Sequence, residues 1–427
     1  MNAIRHDFRV FCDRIQPAST PKPRFLDALA RRAVLQRLTQ LHHGQLTLLE
    51  GDHVHCFGET TEDFPVSVVV LVHDPCFYSD IAFGGTIGAG EAYMQGFWST
   101  TELTNLVRIF VRNMDVLEGM ERGWAWLTTP LQRSLHCLNR NTRDGSRRNI
   151  SAHYDLSNDF FRLFLDETLM YSSAIFPHAN STLHEAQLAR LDAICRKLDL
   201  KSTDHLLEIG TGWGGFALYA ATHYGCKVTT TTISREQFSL AVERVANAGL
   251  QDRITVLPLD YRDLSGQFDK LVSIEMIEAV GHQYYDEFFA KCSSLLKTDG
   301  LMLVQAITIA DQRYERAKHS VDFIQRYIFP GSCIPSVTAL TNSLTRTTDL
   351  RLFDLEDIGL HYATTLKKWR ENFFHNLERI KALGLSDAFV RMWEYYFCYC
   401  EGGFIERVIS DVHMLLAKPL NRRQPKV

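Results

Sequence analysis

The sequence predicts an α/β protein: a doubly wound, mostly parallel sheet preceded by a smaller α+β domain. Three observations predict it. A short apolar run, Leu206-Leu207-Glu208-Ile209, meets the turn Gly210-Thr211-Gly212-Trp213-Gly214-Gly215, and an apolar helical pattern from Phe216 to Ala221 follows at once. From there to Ala306 strand-like and helix-like stretches alternate, as the crossovers of a parallel sheet require. Ahead of this, between Arg133 and Arg148, the composition shifts: Arg133, Arg140, Arg143, Arg147 and Arg148 stand against one acid, Asp144, among Asn-Arg-Asn-Thr and Asp-Gly breaks. We place the domain boundary there, with residues 1–135 as the N-terminal domain, 136–150 as a basic linker and 151–427 as the second domain.

Taken in order, Met1 to Gln16 alternates charged with apolar residues, which argues against a signal peptide. Apolar spacing from Arg24 to Leu41 reads as an amphipathic helix. Gln45 to Leu49, His53 to Phe57 and Val66 to Val72 read as strands separated by turn residues. Val66 to Val72 is the longest apolar run, and it is far too short to span a bilayer. Gly84-Gly85-Thr86-Ile87-Gly88-Ala89-Gly90 reads as a packing turn. The basic linker reads either as a solvated segment or as a patch for anionic lipid headgroups, at ~1 kcal/mol per basic residue near a membrane surface.

With 427 residues, two domains are expected, and 45% apolar with 22% charged content fits a globular protein with a large core. A net charge of −4 gives no global basic field for nucleic acid. None of the ten cysteines forms a C-x-x-C pair, so the expectation is reduced thiols in a cytosolic enzyme, with no metal site.

The second domain holds strand candidates at Lys227 to Thr232, Ile254 to Leu257, Lys270 to Ile274 and Leu301 to Ala306, with helices centred on Gln237 to Ala248 and Tyr284 to Leu296. In such sheets ligands bind at the C-terminal ends of the strands. The glycine loop lets backbone approach a ligand closely, and helix-start N–H groups face it. Gly210, Gly212 and Gly215 also match the dinucleotide fingerprint, which wants an acid at the end of the second strand. That strand ends in Thr229 to Thr232 and offers only hydroxyls, whereas Glu208, just before the first glycine, is the pattern of S-adenosylmethionine methyltransferases. After the third strand, Asp260-Tyr261-Arg262-Asp263 could flank an adenine. After the fourth, Glu275 and Glu278 would share one helical face if a helix starts there, either as helix N-terminal charges or as groups assisting an acidic species.

Several motifs then occur in register: His153-Tyr154-Asp155-Leu156, Phe164-Leu165-Asp166, Tyr171-Ser172-Ser173-Ala174, the glycine loop, Thr232-Ile233-Ser234 with Gln237, Asp260-Tyr261-Arg262, Ile277-Glu278-Ala279-Val280-Gly281, and Tyr327-Ile328-Phe329-Pro330-Gly331. From about Asn149 to Leu416 the chain resembles the cyclopropane fatty acyl phospholipid synthase and mycolic acid cyclopropane synthase family. Gly88 to Met94 is more weakly similar to the N-terminal domain of the bacterial phospholipid enzymes.

The resemblance implies a class I S-adenosylmethionine methyltransferase fold. It implies methyl transfer to a cis double bond in a phospholipid acyl chain, then loss of a methyl proton to bound bicarbonate and ring closure. The cofactor residues implied are Tyr171, Ser172, Glu208, Gly210, Gly212, Thr232, Ile233, Gln237, Tyr261 and Arg262. The implied bicarbonate ligands are Glu278, the backbone at Ile307, and Tyr362, with Ser173 and Gln305 where the family has cysteine and histidine. Both replacements keep hydrogen-bonding capacity and remove a titratable group. They leave open a methyl- or methylene-branched product. A small-molecule N-methyltransferase on the same scaffold is a further alternative. The resemblance also implies a cytoplasmic homodimer, peripherally associated with the inner membrane face. Aromatics between Trp369 and Phe404 are expected to form mostly helix core, a subset lining an acyl tunnel.

Overall fold

The computed structural model describes residues 25–121 and 156–423. The N-terminal segment, the basic linker and the His153-Tyr154-Asp155 motif lie outside the described residues. The chain divides into two units, Met1–Thr129 with Asp387–Tyr395, and Pro130–Ser386 with Tyr396–Val427.

In the first unit α1 (Phe25–Leu38) leads into β1 (Gln45–Glu50), β2 (His53–Phe57) and β3 (Ser67–Val72), then α2 (Cys76–Gln95), β4 (Trp98–Ser99), α3 (Leu103–Arg112) and α4 (Met114–Glu121). The strands form one sheet in the order β2-β1-β3-β4, with β1 and β3 parallel. Val68, Val70 and Val72 alternate onto its buried side, as the two-residue period of a half-covered strand requires. The glycine cluster at 84–90 is not a turn. It lies inside α2, which bends at Gly85 (φ 59°, ψ −135°). A Cβ on Gly88 would collide with the Asp80 carbonyl, so the cluster lets two halves of one bent helix touch.

Among the described residues the second unit opens with α5 (Asn158–Arg162) and α6 (Leu183–Lys197), the latter started by a capping box between Thr182 and Glu185. Then come β5 (His205–Ile209), α7 (Gly215–Tyr224), β6 (Lys227–Thr231), α8 (Arg235–Asn247), β7 (Ile254–Leu257), β8 (Phe268–Ile274), α9 (Tyr285–Leu295) and β9 (Leu296–Ile309). After α10 (Asp311–Ala317), α11 (Phe323–Tyr327) and α12 (Val337–Thr347), β10 (Arg351–Asp357) is followed by α13 (Gly359–His375), α14 (Leu377–Ala382), α15 (Asp387–Ile405), of which Asp387–Tyr395 counts with the first unit, and β11 (Ile409–Ala417).

These seven strands order as β10-β11-β9-β8-β5-β6-β7. The five from β5 to β9 run parallel, and β10 and β11 join antiparallel. The sequence reading found the parallel strands and missed the other two. β10 is mostly exposed, and buried Asp411 and His413 interrupt the apolar run of β11. Because β6 and β7 lie on one side of β5 while β8 and β9 lie on the other, the strand order reverses at β5 and β8. A ligand crevice belongs there.

Candidate active site

At the reversal point β5 ends in the glycine loop, where Gly210, Gly212 and Gly214 all take positive φ. A Cβ on Gly212 would meet nothing within 4 Å, whereas one on Gly210 would meet the Met276 side chain at 3.4 Å. The loop therefore leaves room for a ligand on one side and abuts the turn after β8 on the other. Next door, Thr232 Oγ1 donates to Gln237 Oε1 at 2.9 Å, and Ser234, after Ile233, caps α8. After β7, Tyr261 meets Phe288 edge-on at 5.4 Å, and the Arg262 guanidinium, lying over the Tyr261 ring, is held by both oxygens of Asp260 at 2.8 and 2.7 Å. These sequence-derived cofactor residues follow the C-terminal ends of β5, β6 and β7, and hydroxyl, amide and aromatic groups beside a glycine loop suit an adenosyl cofactor.

Glu208 sits within the sheet rather than at its edge. Its Oε2 accepts from the Thr230 hydroxyl at 2.6 Å, and burial pushes its carboxyl up to about 8. Near neutral pH it is therefore a neutral acid bridging β5 and β6. Because the folded value is raised, the stabilisation from this group is complete below the ordinary glutamate value of 4.5 and is lost as pH rises through about 8. We expect the melting temperature to fall between pH 5 and 9. Glu208→Gln, which keeps the threonine bond without titrating, should flatten that fall, each such group contributing about 1.4 kcal/mol per pH unit in its window. A pH profile unchanged by the substitution would contradict this.

The expected anion ligands gather around a residue the sequence reading did not assign to that site. Ser173 N donates to Glu275 Oε1 at 2.7 Å, Gln305 Nε2 donates to the same oxygen at 2.8 Å, and the Tyr362 hydroxyl donates to Oε2 at 2.7 Å. The Ser173 hydroxyl itself turns away, to the Ala174 carbonyl. Glu278 takes the Ile307 amide, so two groups expected to hold one anion bond each other, while its Oε2 is buried with no partner among the described residues. Burial, aided by the Glu275 charge, pushes Glu278 up to about 8. Glu275 and Glu278 do not share a helical face. Glu275 takes φ 47°, so the chain turns sharply before the short 3-10 turn Ile277–Ala279 and sends the two side chains to different partners.

Three further buried groups were not singled out from the sequence. Asp411 accepts from Gln305 Nε2 at 2.8 Å, and His413 Nε2 lies 3.1 Å from Gln305 Oε1. Arg190 bonds Ser172 Oγ at 3.0 Å and Gln187 Oε1 at 2.7 Å, and burial lowers it to about 10 against the pull of Glu275 and Asp411. The available signal for Arg190 was a cation on the stripe Gln187, Arg190, Leu191, Ile194, which is the buried face of α6.

Aromatic rings gather around Tyr171 and Tyr362 beside this cluster. Tyr171 lies 5.2 Å from Trp369, 5.5 Å from Phe161 and 6.1 Å from Phe329, and its hydroxyl bonds that of Tyr396 at 3.1 Å. Tyr362 stacks on Phe404 at 4.5 Å and stands perpendicular to Trp369 at 6.0 Å. Phe373 and Phe397 pack instead against Phe160 and Phe164, so those rings belong to the core.

The doubly wound sheet with its glycine loop at the reversal point and the comparisons below together make this an S-adenosylmethionine-dependent methyltransferase. Residues 141–414 match the model of the mycolic acid cyclopropane synthetase family, and the chain belongs to that family. It is 38% identical to tuberculostearic acid methyltransferase UfaA1 of Mycobacterium tuberculosis, over 91% of this chain and 92% of that one. It is 36% identical to the cyclopropane-fatty-acyl-phospholipid synthase of Escherichia coli K12, over 80% and 85%. The crystal structure of mycolic acid cyclopropane synthase CmaA1 with SAH and CTAB superposes with a TM-score of 0.59 at 32% identity, covering 64% of this chain and 98% of that one.

Proposed function

We propose that this chain transfers the methyl group of S-adenosylmethionine to a cis double bond of an unsaturated fatty acyl chain in a phospholipid, and that loss of a proton from the new methyl closes a cyclopropane ring. One observation carries this reading: the half-buried Glu275 carboxyl, at the strand end beside the glycine loop, takes donors from Ser173, Gln305 and Tyr362, and the Tyr362 ring packs on Phe404 and Trp369. Alkene methylation leaves a carbocation that water would capture, so the chemistry needs a dry wall, a fixed negative charge and a base.

When bound, S-adenosylmethionine supplies the electrophilic methyl. Gly210 and Gly212 would floor its site, Thr232, Ile233 and Gln237 would hold the ribose, Tyr261 and Arg262 would flank the adenine, and Tyr171 and Ser172 would meet the methionine end. The rings of Tyr171, Trp369 and Tyr362 would exclude water and face the cation. The residues present do not fit bicarbonate. Ser173 N, Gln305 and Tyr362, which would have to hold that anion, already donate to Glu275. A substrate still in a phospholipid calls for peripheral contact with a membrane, and no helix among the described residues is long and apolar enough to cross one.

A second reading, in which a methyl or methylene branch remains without ring closure, is favoured by Ser173, Gln305 and Glu275 at the anion site. Incubation with S-adenosylmethionine and vesicles of dioleoyl phosphatidylcholine, followed by mass spectrometry and proton NMR of the acyl chains, separates the readings. High-field cyclopropyl protons support ring closure, and added carbon without them supports the branch. Methyl transfer only to amines would contradict both and favour a small-molecule N-methyltransferase.

A further inference from the structure

We infer that Glu275 is the resident base of this site, a carboxylate of the chain itself standing where the family resemblance implies a bound bicarbonate. The inference rests on the proposed methyl transfer to an acyl alkene. Its first support is backbone geometry. At φ 47° Glu275 occupies the left-handed region, which costs a residue with a Cβ about 1–2 kcal/mol and costs glycine nothing. A side chain carried there at such a cost, at the end of a central strand, points to a task.

The second support is the donor set. Burying a carboxylate is expensive unless donors satisfy it. Here a backbone amide, a side-chain amide and a phenol do so, from three separate elements: the loop ahead of α6, β9 and α13. These are the donors that a bicarbonate would need, and a second anion among them would lie against a like charge. Glu278 and Asp411 lie close enough that burial and neighbouring carboxylates hold Glu275, Glu278 and Asp411 all above the ordinary carboxylate range, so further negative charge is poorly accommodated. Arg190 is the buried cation whose charge offsets this group.

The third support is the shared charge. Oε1 takes two donors, Oε2 takes the Tyr362 hydroxyl, and the Asp411 carboxyl, held well above the ordinary carboxylate range by burial and the Glu275 charge, shares a hydrogen bond with Glu275, so a proton taken up there spreads over a carboxyl pair. The step balances as follows. The alkene π pair forms the bond to the methyl carbon while the sulfur–methyl bond breaks toward sulfur, leaving a neutral thioether and a carbocation. Glu275 Oε2 then takes a proton from the methyl, and the released C–H pair closes the ring. In the branched outcome a hydride first shifts to the cationic carbon, and the same proton loss then leaves a methylene. Proton loss to a carbocation is so favourable that a hydrogen-bonded carboxylate suffices as base; its position decides which proton leaves.

The test uses the full chain in buffer freed of carbon dioxide, with S-adenosylmethionine and dioleoyl phosphatidylcholine vesicles. The wild-type rate should not respond to added bicarbonate. Glu275→Gly relieves the backbone cost and clears a carboxylate-sized space. It should lower kcat about 100-fold or more, leave S-adenosylhomocysteine affinity unchanged, and regain turnover with bicarbonate or formate. Glu275→Gln should lose turnover without rescue. A wild-type rate that requires bicarbonate, or wild-type turnover by Glu275→Gly, would overturn the inference while leaving lipid methylation intact. Absence of lipid modification by the wild type would overturn both.

Discussion

Tyr362→Phe should lower kcat by roughly 10- to 100-fold at saturating S-adenosylmethionine while leaving S-adenosylhomocysteine affinity unchanged. The phenol hydroxyl bonds Glu275 Oε2 at 2.7 Å, and hydrogen bonds to buried charged groups are worth about 1.5–3 kcal/mol. Phenylalanine keeps the stack on Phe404 and the edge contact with Trp369, so packing should change little. The lost donor acts on the anion, and the anion acts after the methyl has moved. The loss should therefore fall on turnover rather than on binding, as titration calorimetry beside steady-state kinetics would resolve. Equal losses in both would show that the ring shapes the cofactor cleft instead.

Gly212→Ala should cost the fold only about 1 kcal/mol, since a Cβ there meets no protein atom within 4 Å and the strain is that of φ 52° alone. It should nevertheless weaken S-adenosylhomocysteine binding by at least about 10-fold, because the added methyl takes space that the cofactor reading assigns to ligand. Each 1.4 kcal/mol of lost affinity is tenfold. Thermal melts report the first quantity and calorimetry the second. Undiminished affinity in a folded Gly212→Ala chain would remove the loop from the cofactor site.

Much of the catalytic fold was legible because its signals are local. An apolar strand, a glycine turn and a helical stripe follow one another from Leu206 to Ala221, and each following parallel strand is a short apolar run between helices. β10 and β11 were not legible, because an exposed edge strand and a strand carrying buried Asp411 and His413 both lack a clean period. The glycine cluster in α2 misled for a related reason. Glycine marks turns, but it also marks backbone that must pass close to backbone, as Gly88 does at Asp80.

At the site, Ser173, Gln305 and Tyr362 were found through motif register, and the structure brings all three together. The atom they converge on was not readable. A carboxylate in a left-handed turn looks, in sequence, like one of two acids at a helix start. Only the folded chain shows that Glu275 faces three donors from three elements while Glu278 takes the Ile307 amide. Arg190 was hidden likewise, since a cation on an apolar stripe has no visible partner until α6 packs.

The central claim, that a methyl group crosses from sulfonium to an acyl double bond and then loses one of its own hydrogens in a dry site, is tested most directly by trideuteromethyl S-adenosylmethionine. With unsaturated phospholipid vesicles, the account predicts acyl groups that gain one carbon and retain two of the three deuteriums. Chains retaining all three would contradict proton removal from the transferred methyl, and chains carrying none, with label found only elsewhere, would contradict the lipid assignment itself.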